Sequence, residues 1–353
     1  MKRKSHRGSL AAAVVPIALM LAGCGGSAMP QPNASAARPY EPPAPPLARQ
    51  ASVPNLYVAD FGKSTVEVYA PGSSKPLRAI SEGIDQPWAL VFDAAANLYV
   101  ANDGSSTVTE YAPGGSVPAL TISDGVRGPI ALAVARSGNL FVGNSNSSVT
   151  VYEKGSGQYL QSIVKNVAGV QALAFDSSGE LYVANIGSSG TGPYSVTVYN
   201  ADKKQYVRTI RDGVSYPYAI ALDAKDNLYV SNSKANTVTV YPLGGSKPIR
   251  TIRNGIADPL GLAFDSSGNL YVLNGGDGTL EASVTVYAPG KTKILRTITQ
   301  DVWYPLSIAI GPSGYLHVVD YYCCVLEYQP NGIKLVRKIT LGLQYPIAVA
   351  FGP

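Results

Sequence analysis

Asn55-Leu56-Tyr57-Val58-Ala59-Asp60 (NLYVAD) returns six times along the chain. It reappears as NLYVAN at 97–102, NLFVGN at 139–144, ELYVAN at 180–185, NLYVSN at 227–232, NLYVLN at 269–274 and YLHVVD at 315–320. Successive copies start 42, 42, 41, 47, 42 and 46 residues apart. A period of about 40 to 45 residues built on short apolar runs is the signature of radially repeated four-stranded sheets rather than of a helical solenoid.

Working outward from one copy, each period holds four strand signals. In 87–122 they read PWALVF, NLYVAN, TVTEYAPG and PALTI. All are short, rich in β-branched and aromatic residues, and bounded by Gly, Pro, Asn or Asp. The first signal carries small residues at one position (Ala89, Ala131, Ala172, Ala219, Gly261, Ser307, Ala348) and mostly again two residues on (Val91, Ala133, Ala174, Ala221, Ala263, Ala309, Ala350). Such a face lets neighbouring strands converge near an axis, so this strand is the innermost. The last inner strand, YPIAVAFGP at 345–353, has no NLYV-type strand after it, and Asn55 has no inner strand before it. The expected fold is therefore all-β: a seven-bladed β-propeller of four-stranded blades, closed where the C-terminal strand joins the N-terminal three. Closure also removes open sheet edges.

The unit P-x-G/A-φ-A-φ-D-x-x-G-N-φ-Y-V-A-N/D…V-x-V-Y, with φ apolar, resembles the NHL repeat, and YVAN…TVTVY is similar to YVTN-type propellers. The resemblance covers 55–353 and implies the fold alone, because such propellers host binders, scaffolds, lactonases and lyases. NHL domains usually have six blades, and seven here departs from that pattern.

Residues 1–54 have a different character. Lys2, Arg3, Lys4 and Arg7 precede an apolar run from Leu10 to Leu21, the layout of a signal peptide. It ends in Leu21-Ala22-Gly23-Cys24, which resembles the lipobox of bacterial lipoproteins. That resemblance implies a leader over 1–23, lipid on Cys24 as the membrane attachment and, with Gly25 next, an outer-membrane address in the cell envelope. Residues 24–54 contain eight prolines and form a tether that cannot bury a core. Without the four leader cations, 24 basic residues face 23 acidic ones, a net of +1. A phosphate backbone needs a clustered basic surplus, so nucleic acid is not an expected partner. The propeller is read as a monomer.

Candidate chemistry is sparse. Tyrosines repeated in every blade (Tyr69, Tyr111, Tyr152, Tyr199, Tyr241, Tyr287, Tyr328) are read as blade packing, and Arg78, Arg208, Arg250, Arg296 and Arg337 as charges guarding the outer edge. The ring Asp60, Asn102, Asn144, Asn185, Asn232, Asn274, Asp320 admits two readings, a cation-binding rim or Asx caps that order the next loop, of which the cap is preferred. His317, the one histidine after the leader, stands in a Tyr/Phe position and reads as a packing substitution. Virginiamycin-B-lyase-like enzymes would need a histidine base, and gluconolactonase-like enzymes a Glu/Asn/Asp metal set that these motifs do not match. No catalytic residue, metal ligand or cofactor is assigned. Cys323 and Cys324 are adjacent, with Cα atoms about 3.8 Å apart, and are either a vicinal disulfide or two thiols.

Variation concentrates in the loops between second and third strands, which share one face, the top, with the fourth-to-first connections. Phe61, Trp88, Trp303, Tyr304, Tyr321, Tyr322 and Tyr345 are non-periodic aromatics falling there on three neighbouring blades. They are the candidate ligand-binding residues, for a glycan, peptide or protein, with packing against Pro87, Pro305 and Pro346 as the alternative. The expected function is a binding or scaffolding module, with catalysis not favoured. A metal-dependent lactonase- or lyase-like enzyme at the top of the channel, needing a divalent cation, is the alternative.

Overall fold

The computed structural model describes residues 53–201 and 205–353. The leader, Cys24 and all but the end of the expected tether lie outside the described residues. Seven four-stranded antiparallel sheets surround an axis, with strands numbered β1 to β28 in chain order. Blade 1 pairs β28 (Pro346–Gly352), β1 (Asn55–Asp60), β2 (Thr65–Tyr69) and β3 (Pro76–Ile80) in that spatial order. Blades 2 to 7 follow as β4–β7 (87–122), β8–β11 (129–163), β12–β15 (170–210), β16–β19 (217–252), β20–β23 (259–298) and β24–β27 (305–339). The ring is closed as expected: Leu56 pairs with Phe351, Tyr57 with Ala350 and Val58 with Val349.

The small face of the inner strands does what its composition requires. A Cβ added at Gly261 would stand 2.8 Å from Ile308 Cγ2 of the next blade. One strand's small face thus receives its neighbour's large residue, and interiors packed this closely leave no slack for an extra methyl group.

Three further sets of contacts brace the ring, two between a blade and the loops or strands beside it and the third within single blades. Every third-strand tyrosine is buried and donates its hydroxyl to a carbonyl of the loop leading into its own blade: Tyr111 to Glu82 (2.6 Å), Tyr152 to Asp124 (2.6 Å), Tyr241 to Asp212 (2.5 Å), Tyr287 to Asn254 (2.5 Å), Tyr328 to Gln300 (2.5 Å), Tyr69 to Leu341 (2.6 Å), and Tyr199 to Lys165. Burial pushes the Tyr241 hydroxyl up to about 12, so it stays a donor at neutral pH. Side chains of Ser64, Ser106, Ser147 and Asn236 accept the backbone N–H of Gln86, Gly128, Gly169 and Asp258 in the following blade. These four acceptors all sit at positive φ, between 52° and 66°.

The third set corrects a sequence-based expectation. The outer-strand arginines do not stand out from the edge as guards. They fold back so that Arg78, Arg208 and Arg296 lie 5.8, 5.7 and 5.5 Å from the ring centres of Tyr57, Tyr182 and Tyr271. Each also donates to that tyrosine's hydroxyl, at 3.2, 3.1 and 2.6 Å. Their aliphatic stems cover apolar surface while the guanidinium finds a partner.

Removing Tyr345–Pro353 should leave β1 as an unpaired edge and open the ring. The expected outcome is loss of a single cooperative melting transition, with aggregation, in differential scanning calorimetry. An unchanged transition in the truncated protein would contradict closure.

Candidate functional site

The second-to-third and fourth-to-first loops meet on the top face, where Tyr321 N–H donates to Tyr304 O (2.9 Å) and Phe61 N–H to Tyr345 O (3.0 Å). This brings the predicted aromatics of blades 7 and 1 into one cluster. Tyr321 and Tyr345 stack, with centroids 5.2 Å apart and planes at 25°. Tyr322 meets Tyr321, Tyr304 and Tyr345 edge-on at 4.9, 4.8 and 6.3 Å. Beside them Trp303 is 69% exposed, Tyr304 60% and Tyr322 58%. Gly62 makes the arrangement possible, since a Cβ there would fall 2.4 Å from Tyr345 Cδ2.

Trp88 lies elsewhere in depth. Its ring is buried, edge-on to Phe61 at 5.7 Å, and Phe61 is half-buried. The expectation of an accessible Trp88 is corrected: its side chain is buried against Phe61 in the packing between blades 1 and 2. Its indole N–H makes no hydrogen bond among the described residues. Cys323 and Cys324 are joined in a vicinal disulfide, at the turn that presents Tyr322, with Cys324 fully buried.

A second aromatic group was not foreseen. Tyr194 and Tyr216 meet edge-on at 5.7 Å, and the Lys234 ammonium lies 5.7 Å from the Tyr194 ring. These belong to blades 4 and 5, across the ring from the junction of blades 7 and 1. A signal was available. Tyr216 precedes Pro217 as Tyr304 and Tyr345 precede Pro305 and Pro346, and Tyr194 ends the expanded loop of blade 4.

The polar ring at the ends of the second strands is occupied with structure. The side-chain oxygens of Asn102, Asn144, Asn185, Asn232 and Asn274 accept N–H groups of Asp85, Arg127, Ala168, Ser215 and Ala257, at 2.9 to 3.2 Å. Their amides donate to strand carbonyls and to threonine hydroxyls such as Thr109, Thr150 and Thr239. Asp60 and Asp320 each accept two lead-in N–H groups in the same way. All seven side chains are buried, so these are caps and not a cation-binding rim.

The family model for the SMP-30/gluconolactonase/LRE-like region matches residues 121–318. The chain belongs to this family. The match runs through more than half of the sequence, from the last strand of blade 2 to the second strand of blade 7. It supports a propeller family without assigning NHL or YVTN repeats. No curated protein matches the chain. Gluconolactonase-type chemistry implies a divalent cation held by converging carboxylate and amide oxygens. Among the described residues, no three or more His, Cys, Asp or Glu side chains converge on a point where an ion could sit. The Asx oxygens nearest the mouth already accept backbone hydrogens. On this face the Asp103 carboxyl is pushed up by burial and then by Asp85. The residues present do not fit the cation. His317, the other candidate base, stands in a second strand with its ring edge-on to Phe351 at 5.0 Å. Tyr57 meets Phe92 and Tyr229 meets Phe264 in the same geometry at 5.0 Å, so the packing reading of His317 holds.

Asn232→Ala should cost about 1–3 kcal/mol, because it takes the acceptor from the Ser215 N–H and the donor from Val230 O and the Thr237 and Thr239 hydroxyls. Excess calcium or a chelator should leave the melting temperature unchanged. A calcium-dependent rise in thermal shift that Asn232→Ala abolishes would restore the cation reading.

Proposed function

We propose that this propeller is a lipid-anchored binding module of the bacterial cell envelope, with NHL-like repeats, that takes a glycan on the aromatic cluster of its top face. The observation that carries this reading is the contiguous set Trp303, Tyr304, Tyr321, Tyr322 and Tyr345, three of whose rings stand more than half exposed. Exposed neighbouring rings on a rigid scaffold offer flat contact area at low entropic cost, and binding commonly resides in loops held this way. Apolar ring faces match the C–H faces of sugars, and Tyr hydroxyls supply donors at the edge. Membership of a family that includes lactonases favours an enzymatic alternative at the same mouth, but the carboxylates there do not form the donor set such a reaction requires.

The geometry of attachment suits the reading. The chain joins the ring at β1, which runs from the bottom face to the top, so a tether from Cys24 would leave the aromatic face turned away from the membrane. Incorporation of labelled palmitate that is lost in Cys24→Ser tests the anchor; incorporation surviving that substitution would contradict it.

For the site, Trp303 fluorescence in a Trp88→Phe background should respond saturably to peptidoglycan fragments or oligosaccharides. Measured by titration calorimetry, Trp303→Ala with Tyr322→Ala should weaken that binding by tenfold or more, as truncation of aromatic anchors commonly costs ~2 kcal/mol. A glycan bound equally well by the double variant would place the site elsewhere.

A further inference from the structure

Blades 7 and 1 meet over a cavity of about 540 Å³. The matching position between blades 1 and 2 is lined by Tyr57, Arg78, Phe92, Tyr111 and the turn 112–115, and encloses no measurable volume. The two places are related by the repeat: His317, Arg337, Phe351, Tyr69 and the turn 70–73 line the larger one. Their difference has two causes. Between blades 1 and 2 the turn containing Ala96 closes the bottom of the gap. Among the described residues no such turn joins β28 to β1 at the seam, because the two strands come from opposite ends of the propeller sequence. In addition His317 is shorter than the tyrosine it replaces, and its ring does not reach the arginine.

The polar groups left in the cavity differ from those of every other blade. Where blades 1, 4, 5 and 6 combine Tyr, Val and Arg (Tyr57, Val68, Arg78 in blade 1), blade 7 combines His317, Glu327 and Arg337. Glu327 Oε2 accepts both His317 Nε2 (2.9 Å) and Arg337 Nη2. Burial alone would push the Glu327 carboxyl up, but the bonds from His317 and Arg337 outweigh it and hold it below the usual carboxylate range. Oε1 of Glu327 makes no hydrogen bond among the described residues, nor does Nη1 of Arg337. At the junction of blades 1 and 2 the matching Nη1, that of Arg78, is spent on Gly115 O (2.7 Å) and Ser116 Oγ (3.0 Å). The seam cavity is therefore lined by an acceptor, Glu327 Oε1, and a donor, Arg337 Nη1, that make no hydrogen bond among the described residues, with the polar side chains of Ser313 and Tyr315 also on its wall. Apolar groups of Pro54, Leu56, Val336, Ile339 and Phe351 surround them.

We propose that the seam cavity is a second binding site, separate from the top face, for a small uncharged molecule bearing a primary carboxamide on an apolar body. A carboxamide presents a donor and an acceptor together, matching Glu327 Oε1 and Arg337 Nη1 without adding charge. A carboxylate ligand would meet Glu327, and an ammonium would meet Arg337, so each charged counterpart is opposed by one member of the pair. Mostly apolar walls with a few convergent polar groups, at several hundred Å³, are the usual make-up of a small-molecule pocket.

Benzamide, benzoate and benzylamine share one shape with three charges and test this on the mature protein by saturation-transfer NMR and thermal shift. Benzamide should bind saturably at millimolar concentration, and the two charged compounds at least tenfold more weakly. The double substitution His317→Tyr with Glu327→Val installs the pattern of blades 1, 4, 5 and 6 and should abolish benzamide binding. Glu327→Gln, which keeps the shape, should weaken it at least fivefold, so the test survives if the double variant does not fold. Trp303→Ala should leave it unchanged. Absence of saturable benzamide binding, equal binding by benzoate or benzylamine, or undiminished binding to folded variants would each overturn the proposal.

Discussion

Pairing between the first and last strands of the propeller is the contact on which the rest of the molecule depends. Each blade buries its faces only because a neighbour stands on either side, and the neighbour relation becomes cyclic only when β28 adds to β1. The tyrosine hydroxyls, the positive-φ serines and the Asx caps all order loops between successive blades. Where the first and last strands meet, that pairing is joined by Tyr57 OH to Pro353 O (2.7 Å), by Tyr69 OH to Leu341 O (2.6 Å) and by the Asp60 cap on the N–H groups of Gln344 and Tyr345. Closure is a long-range contact, so the ring pays its loop entropy late in folding.

The same closure shapes both candidate sites. On top, it sets Tyr345 of the last inner strand's lead-in beside Tyr321 and Tyr322 of blade 7, and Gly62 leaves room for the ring. Below, among the described residues, it lacks the turn that fills the junction of blades 1 and 2, and a cavity is left. A seam is thus the place where a repetitive fold acquires local individuality, without altering the strands that carry it.

Much of this was legible in the sequence, for a physical reason. The seven copies of NLYVAD-type sequence and the Ala/Gly/Ser face of the inner strand report constraints imposed identically in every blade, so their repetition reveals blade number and closure. The aromatic cluster was legible as the departure from repetition at Trp303, Tyr304, Tyr321 and Tyr322. Depth was not: Trp88, just after Pro87, and Trp303, two residues before Pro305, both fall where an inner strand begins, yet one is buried against Phe61 and the other exposed. Nor was the inward fold of the arginines, because the spacing of a strand shows which face a residue takes and not how a long side chain bends. His317 was readable as a packing replacement; the partnership with Glu327 and Arg337 was not, since it joins three strands whose register appears only in the folded sheet.

Amide hydrogen exchange, read by mass spectrometry on fragments covering 55–60 and 346–352, tests the closed ring most directly. Stability varies across structures in cooperative units, with fraying segments exchanging fastest. If the closing strand is integral to one cooperative ring, these fragments will exchange as slowly as 180–185 and 195–200 of blade 4. Exchange at the seam orders of magnitude faster than in blade 4, with the remaining blades still protected, would mean that the propeller stands without its closure.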